Sequence, residues 1–393
     1  MDPIWLVIAF ILGLAARHVG LPPMIGFLIA GFVLNAAGIE GGELIEEVAD
    51  LGVTLLLFTI GLKLRVETLL RPQVWAVASG HMILTVLIFG SGIYALAVSG
   101  AALFAELDLM LALLIAFALS FSSTVFAVKV LEEKGEMAAL HGRIAIGILI
   151  MQDIFAVVFL ALSTGKIPSL WAIALLALIP LRPLLTGIMA RSGHGELLIL
   201  YGILIAFGGA ALFEAVGVKG DLGALIIGAL LANHPKASEL AKSLLGFKDL
   251  FLVGFFLNVG LSAALSFQAF GIAAILVLLV ALKMSLFFVL LTRLQARART
   301  SLLASLSLAN YSEFGLIVAA IGVANGWITG DWLAIIAIAL SVSFVLASPL
   351  NVAAHSIYAH YGEPLRRFET ASRLPEEQPI KPGAAEVAIF GMG

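Results

Sequence analysis

The dipeptide Gln152-Asp153 has the clearest capacity for chemistry in this sequence. It lies at the centre of a continuous apolar stretch over residues 147–159. An ionised carboxylate at mid-bilayer depth costs about 2.5–3.5 kcal/mol on insertion scales, so such residues usually face a cavity and serve a function. A carboxylate binds a proton or a metal cation but rarely both, which makes Asp153 a candidate exchange point for ion-coupled transport. Gln152 does not titrate, and its amide oxygen can contact the cation or hold a neighbouring side chain.

Two clusters of polar residues interrupt other apolar stretches. They are Ser120, Ser122, Ser123 and Thr124 in the first, and Asn310, Ser312 and Glu313 in the second. Ser, Thr and Asn can cap backbone groups where a membrane helix unwinds, so we expect both helices to break there. Hydroxyl groups that bond back onto their own helices are the alternative. If the helices break, the ends of the half-helices would place their dipoles near Asp153. Ser122, Ser123 and Thr124, or the backbone that they free, could then complete its cation site.

The composition places the chain in a lipid bilayer. Hydrophobic residues make up 62% of it and charged residues 12%, whereas soluble domains carry roughly 25% charged residues. The absence of cysteine excludes disulfides and thiolate metal sites. The net charge of −3 says little about partners.

Apolar stretches of spanning length predict an all-α membrane protein with 13 transmembrane helices. The predicted spans are 3–17, 21–38, 48–65, 74–99, 109–131, 139–163, 168–190, 196–216, 221–233, 243–264, 268–293, 297–324 and 331–358. The polar clusters lie in the fifth and twelfth spans, and Gln152-Asp153 lies in the sixth. An odd number of crossings places the two termini on opposite sides.

The distribution of lysine and arginine predicts the orientation. With the N-terminus outside, 17 of the 22 Lys and Arg residues fall on the cytoplasmic side. Only Lys166 and Lys219 then fall outside, while Arg182, Lys248 and Lys283 lie within spans. We therefore expect an external N-terminus and a cytoplasmic C-terminus.

The sequence also repeats itself weakly at an offset near 197. Three glycines in and just before the second span have the same spacing as three in and just before the ninth. They are Gly20, Gly26 and Gly31 with Gly217, Gly223 and Gly228, and a Gly-Leu pair also recurs, Gly61-Leu62 with Gly260-Leu261. The second and ninth spans run in opposite directions, which predicts inverted repeats of six helices, a common plan of secondary transporters. Chance similarity between glycine-rich helices is the alternative.

Two further charges lie inside predicted spans. Lys283 is at the middle of the eleventh span. It could form a transport-linked ion pair with Asp153 or Glu313, or it could form a fixed salt bridge that lets both helices insert. Glu313 adjoins the second predicted break, and for it we favour a structural role as a cap.

Thirteen predicted helices, polar breaks in the fifth and twelfth and Gln152-Asp153 in the sixth resemble the second monovalent cation:proton antiporter family over essentially the whole chain. Within it, the Gln-Asp pair resembles the Kef-type, glutathione-gated potassium efflux systems. This resemblance implies the NhaA/NapA-like antiporter fold, in which two broken helices cross and a core moves against a scaffold. It also implies exchange of K+ for H+ at Asp153, a homodimer and a place in the bacterial inner membrane. We expect K+, H+ and the lipid bilayer as partners and no nucleic acid.

Other functions stay open or are disfavoured. A Na+/H+ antiporter of the same fold and a ligand-gated potassium channel are the alternatives, although no Thr-Val-Gly-Tyr-Gly-like filter occurs. With one buried carboxylate the simplest exchange is one for one and electroneutral. We expect no enzyme, because Asp221 and Asp249 lie near helix ends and give Asp153 no facing aspartate.

The composition of the C-terminal part indicates that the membrane domain ends there and another domain begins. Residues 1–360 form the predicted transmembrane domain, 361–385 a polar cytosolic linker, and 386–393 a strand leading into Gly391-Met-Gly393. The Kef resemblance implies that a Rossmann-like regulatory domain starts here and binds a nucleotide and glutathione derivatives, with no cofactor in the membrane domain. The loop His234–Lys242 departs from the acidic loop of Kef systems by adding two lysines, which leaves glutathione gating open.

Overall fold

The computed structural model describes residues 3–39, 41–63, 69–163, 169–218, 220–262 and 267–378, and every regular element in these ranges is helical, as predicted. The α-helices are α1 (Pro3–His18), α2 (Pro23–Ala36), α3 (Glu43–Leu62), α4 (Pro72–Val98), α5 (Leu109–Ser120), α6 (Thr124–Glu133), α7 (Leu140–Ser163), α8 (Leu178–Arg191), α9 (Glu196–Glu214), α10 (Gly220–Leu231), α11 (Ala237–Ser262), α12 (Phe267–Arg293), α13 (Ala298–Ser307), α14 (Glu313–Ala324), α15 (Gly330–Val352) and α16 (Ala354–Arg366). Short 3-10 helices lie at Ala102–Phe104, Leu170–Ala177 and Pro375–Glu377.

The surface of the helical bundle suits a membrane. Eight helical segments of the described ranges are long and apolar enough to cross one, and several shorter helices are also apolar. Large apolar side chains such as Leu162, Trp171 and Leu278 are exposed on its outside, which in water would promote aggregation. Each predicted span overlaps a described helix or an interrupted pair of helices, and the count of thirteen crossings stays a prediction.

Two helices are interrupted along their length. The chain leaves helical conformation after Ser120 and resumes it at Thr124, and it does so again between Ser307 and Glu313. Phe121 and Ser312 have extended backbone at these points. Both interruptions fall on the polar clusters, which confirms the predicted breaks. They leave backbone N–H and C=O groups without helical partners at the ends of α5, α6, α13 and α14.

The helices pack in two groups. One contains α1–α3 with α9–α11, and the other contains α4–α7 with α12–α15. Helix α7, which carries Asp153, packs against α4, α6, α13 and α14 of its own group and also contacts α10 of the first group. The helix with the candidate exchange residue therefore lies where the two groups meet.

Two close helix crossings hold the first group together at glycine. Gly31 of α2 lies against Gly260 of α11, so that a Cβ on Gly260 would be 2.7 Å from the Gly31 Cα. Gly61 of α3 and Gly228 of α10 meet in the same way, with a Gly228 Cβ placed 3.1 Å from the Gly61 Cα. The backbones touch at both points, so any side chain would force the helices apart.

The segment after α16 folds back onto the start of α13. Glu377 accepts hydrogen bonds from the Arg297 N–H (2.8 Å) and the Thr300 hydroxyl, and Glu369 accepts one from the Ala298 N–H (2.8 Å). Leu374 is buried in the adjoining hydrophobic cluster. These carboxylates satisfy backbone donors that are free at a helix N-terminus. The predicted linker thus begins as helix, since α16 continues to Arg366, and then anchors the first half of an interrupted helix.

Candidate functional site

Asp153 is the centre of the candidate site. It lies near the middle of α7 and is only 1% exposed. The Thr124 hydroxyl donates to both of its carboxylate oxygens, at 3.4 Å to Oδ1 and 3.3 Å to Oδ2. Thr124 is the first residue of α6, so the carboxylate also faces the positive end of a helix dipole. Within the described ranges, no Lys, Arg or His side chain lies within ion-pair distance of Asp153.

Both the oxygen and the nitrogen of the Gln152 side-chain amide form hydrogen bonds with the backbone of the first break. Its Oε1 accepts a hydrogen bond from the Ser122 N–H at 3.0 Å, and its Nε2 donates to the Ser120 carbonyl at 3.3 Å. Of the two uses predicted for this side chain, the geometry favours holding its neighbours over contacting a cation. It fixes the break relative to the residue beside it, Asp153.

The two breaks are joined to each other by hydrogen bonds. The Ser123 N–H donates to Asn310 Oδ1 at 2.7 Å, and the Ser122 hydroxyl donates to the Leu308 carbonyl at 2.8 Å. Asn310 Nδ2 in turn donates to the Ser307 carbonyl at 3.0 Å. Polar side chains therefore satisfy backbone groups that have no helical partner, which a low-dielectric interior requires.

Lys283 of α12 lies at the junction of the breaks and forms no ion pair with any acid that the structure describes. Its buried Nζ donates to the carbonyl oxygens of Leu119 (3.3 Å), Phe121 and Asn310 (2.9 Å). Neither Asp153 nor Glu313 is among its contacts in the described part of the chain, so the hypothesis of an ion pair with either of them is not supported. The ammonium group instead satisfies carbonyl oxygens from both breaks with a single side chain.

Ser312 and Glu313 begin the second half of the second interrupted helix. Ser312 is the N-cap of α14, and its hydroxyl oxygen accepts from the Phe314 N–H at 3.1 Å. Glu313 is 1% exposed, and its Oε2 accepts a long hydrogen bond of 3.4 Å from Ser312. Its Oε1 has no hydrogen-bond partner among the residues described. The capping role expected of Glu313 thus belongs to the serine before it.

A cavity of about 430 Å³ lies between the two groups of helices. We refer to it as the interfacial cavity. Its wall includes Phe27 of α2 and Asp249 of α11 from the first group, and Val125, Lys129 and Glu313 from the second. Asp249 is exposed and Glu313 is buried, so the cavity leads from the surface towards the breaks.

The structure brings together the predicted site residues that it describes, namely Ser120, Ser122, Ser123, Thr124, Gln152, Asp153, Lys283, Asn310, Ser312 and Glu313. Gly391 and Gly393 lie outside the described residues. Sequence reasoning missed Ser343, whose hydroxyl accepts from the Tyr311 N–H at 3.0 Å. Its signal was a serine in an otherwise apolar helix, which several other helices share. The described residues contain no cluster of His, Cys, Asp or Glu suited to hold a metal ion.

The sequence is similar to known membrane proteins along most of its length. A family model described as sodium/hydrogen exchanger, transmembrane, matches residues 6–352. The glutathione-regulated potassium-efflux system proteins KefC of Klebsiella pneumoniae (strain 342) and Enterobacter sp. (strain 638) are 30% and 29% identical, over 98% of this chain and 63% of each relative. The putative cation/proton antiporter YbaL of Escherichia coli (strain K12) is 29% identical over 81% of this chain and 62% of that protein. The chain thus spans less than two thirds of the length of these curated relatives.

A solved structure has a similar fold. It is that of the sodium proton antiporter MjNhaP1 from Methanocaldococcus jannaschii at pH 8, with a TM-score of 0.63. The two chains are 15% identical, and the match covers 90% of this chain and 96% of the other. At that identity the likeness establishes the architecture and leaves the transported ion to be argued from the site.

Proposed function

We propose that this chain, which belongs to the transmembrane sodium/hydrogen exchanger family, exchanges a monovalent cation for a proton at Asp153. The observation that supports this most directly is a buried carboxylate held only by a hydroxyl, without a basic partner among the residues described. Because no basic side chain in the described ranges is paired with this carboxylate, a cation can take the place of its proton. We propose K+ as the cation, since KefC relatives are named for potassium efflux. Na+ is the second candidate, because the structural neighbour is named a sodium proton antiporter.

Competition between the two ions at one carboxyl group couples their movements. A proton bound to Asp153 removes the negative charge that attracts the cation, and a bound cation stabilises the ionised form. The Thr124 hydroxyl already lies beside the carboxylate and can serve as a further oxygen ligand. One carboxylate that carries either ion in turn gives one-for-one, electroneutral exchange.

Alternating access follows from movement between the two groups of helices. The glycine crossings stiffen the first group, and Lys283 and Asn310 tie the interrupted helices of the second into one unit. Gly31 and Gly228, equivalent in the sequence repeat, each lie at such a crossing, as do the equivalent Gly61 and Gly260. This supports the proposed arrangement of thirteen crossings in two inverted repeats. The interfacial cavity would then be the opening to one side of the membrane in one access state.

The wider setting of the exchanger is also a proposal. We infer a homodimer in the bacterial inner membrane, with the N-terminus outside and the C-terminus in the cytoplasm. The glycines Gly391 and Gly393 would open a regulatory domain that binds a nucleotide and glutathione derivatives. The stretch His234–Lys242 carries two lysines in place of an acidic loop, which leaves glutathione gating open.

Proton movement in proteoliposomes tests the proposed function. Vesicles that contain the wild-type protein should move protons when Li+, Na+, K+ or Rb+ is added, with K+ giving the highest apparent affinity. Asp153→Asn should abolish this movement, and retained exchange would refute the assignment. Cation flux that follows voltage without proton movement would support a channel instead, and a preference for Na+ would replace K+ within the same mechanism.

A further inference from the structure

Glu313 is a buried acid with an unsatisfied oxygen. Its side chain is 1% exposed, and within the described ranges Oε1 has no hydrogen-bond partner. The N-cap of α14 is supplied by Ser312, so the helix does not depend on this carboxylate for its start. An ionised group in such surroundings is unfavourable unless it is paired or coordinates a cation. The free oxygen can accept a hydrogen bond from a further donor or bind a cation.

Glu313 lies in the wall of the cavity through which a cation could reach Asp153. The wall of the interfacial cavity includes the exposed Asp249, Lys129 and the buried Glu313. Asp153 is not part of its wall, but it is bonded to Thr124, the residue before the wall residue Val125. Both Glu313 and Asp153 are buried, each only 1% exposed. A cation that enters through this cavity therefore meets Glu313 before it reaches Asp153.

We propose that Glu313 binds the entering cation at a waiting site between the interfacial cavity and Asp153. This rests on the proposed function and adds a second cation-binding residue to it. The carboxylate replaces part of the hydration shell before the ion moves on, which divides one large desolvation cost into two smaller ones. Conduction and transport both need successive sites that attract an ion without retaining it. The waiting site serves only the side on which the cavity opens.

Side-specific kinetics test this proposal. Exchange is measured in vesicles of known orientation, with K+ varied on one side at a time. Glu313→Gln keeps the shape and removes the charge, so the apparent KM for K+ should rise about tenfold on the cavity side. The maximal rate and the KM on the opposite side should stay within about twofold of wild type. Glu313→Asp, which keeps the charge on a shorter side chain, should have an intermediate KM.

Asp249→Asn is the matched control within the same cavity. Its carboxylate is 66% exposed and already paired with Lys248 at 3.0 Å, so water and the lysine screen it. The KM for K+ on the cavity side should change less than in Glu313→Gln. An equal change in the two variants would overturn the proposal, because it would reflect general surface charge.

Other outcomes separate this inference from the exchange mechanism. An unchanged KM in folded Glu313→Gln, or a rise that is equal on both sides, refutes the waiting site alone. Complete loss of exchange in both folded Glu313 variants also refutes it, since Glu313 would then belong to the exchange site. Retained exchange in the Asp153→Asn variant refutes the proposed function, and this variant is measured in the same vesicle assay. Size-exclusion profiles establish that each variant is folded.

Discussion

The Ser123 N–H and the Asn310 side-chain oxygen lie 2.7 Å apart and join two helix breaks that are 187 residues apart in the sequence. Both groups are buried. Neither interrupted helix could satisfy this N–H by itself, because its own helical acceptor is missing at the start of α6. Each break thus supplies the partner that the other lacks. The paired breaks form a stable polar centre inside an apolar bundle, with Asp153 at its edge.

Asn310→Ala should destabilise this centre. It leaves the buried Ser123 N–H without its acceptor, at a cost of about 1–3 kcal/mol, and also removes the donor to the Ser307 carbonyl. We expect a lower unfolding temperature in detergent and slower exchange. Asn325→Ala is the control, because Asn325 is exposed at the end of α14. Similar unfolding temperatures for the two variants would contradict the role assigned to Asn310.

Lys283→Met should destabilise the protein through its unpaired carbonyl oxygens. Three carbonyls lose their donor, and at about 1 kcal/mol for each hydrogen bond the total loss is about 3 kcal/mol. Lys283→Gln retains two N–H donors without the charge, so its unfolding temperature should lie between those of the Lys283→Met variant and the wild type, with exchange preserved. If Lys283 acted as a partner of Asp153 in transport, the Lys283→Gln variant would instead keep its stability and lose exchange.

Gly260→Ala should separate two helices that now touch. The added Cβ would be 2.7 Å from the Gly31 Cα, and overpacking of this kind costs about 1–3 kcal/mol. Gly246→Ala in the same helix is the control, because a Cβ there meets nothing within 4 Å. Replacing that helical glycine should stabilise the protein by about 0.5–1 kcal/mol. Opposite shifts in unfolding temperature are expected, and equal shifts would argue against close backbone contact at Gly260.

Glu136 gives the folded protein a dependence on pH. It lies between α6 and α7 and accepts hydrogen bonds from His355 (2.6 Å) and His141 (3.1 Å). Partial burial alone would raise the pKa of Glu136, but these hydrogen bonds and the attraction of the two rings outweigh burial and hold the pKa below its ordinary value of 4.5.

Because this pKa is lowered on folding, the unfolded state binds more protons as the solution becomes acidic. The stabilisation is complete above the ordinary pKa of 4.5 and is lost as the pH falls through the lowered pKa. Unfolding temperatures measured from about pH 7 down to about pH 3.5 should therefore decrease at the acid end. Glu136→Gln should flatten that part of the profile, and an unchanged acid limb would show that other carboxyl groups govern it.

The sequence predicted the local features of this site well. A run of apolar residues specifies a membrane helix, because hydrogen bonds within the helix satisfy its whole backbone. Ser, Thr and Asn at 120–124 and 310–312 mark breaks, because their side chains can replace lost helical partners. A lone carboxylate such as Asp153 is conspicuous in an apolar stretch, because burying it is costly. These properties belong to short segments, so they can be identified without knowing what packs against them.

The partners of buried polar groups were decided only by tertiary structure. Lys283 reaches carbonyls 162 and 164 residues away in sequence, and charge alone favoured pairing it with an acid. Nothing in the order of residues showed that Ser312 would cap α14 and leave an oxygen of Glu313 free beside a cavity. Composition fixes which groups need partners, whereas the packing of distant helices determines which partners are within hydrogen-bonding distance.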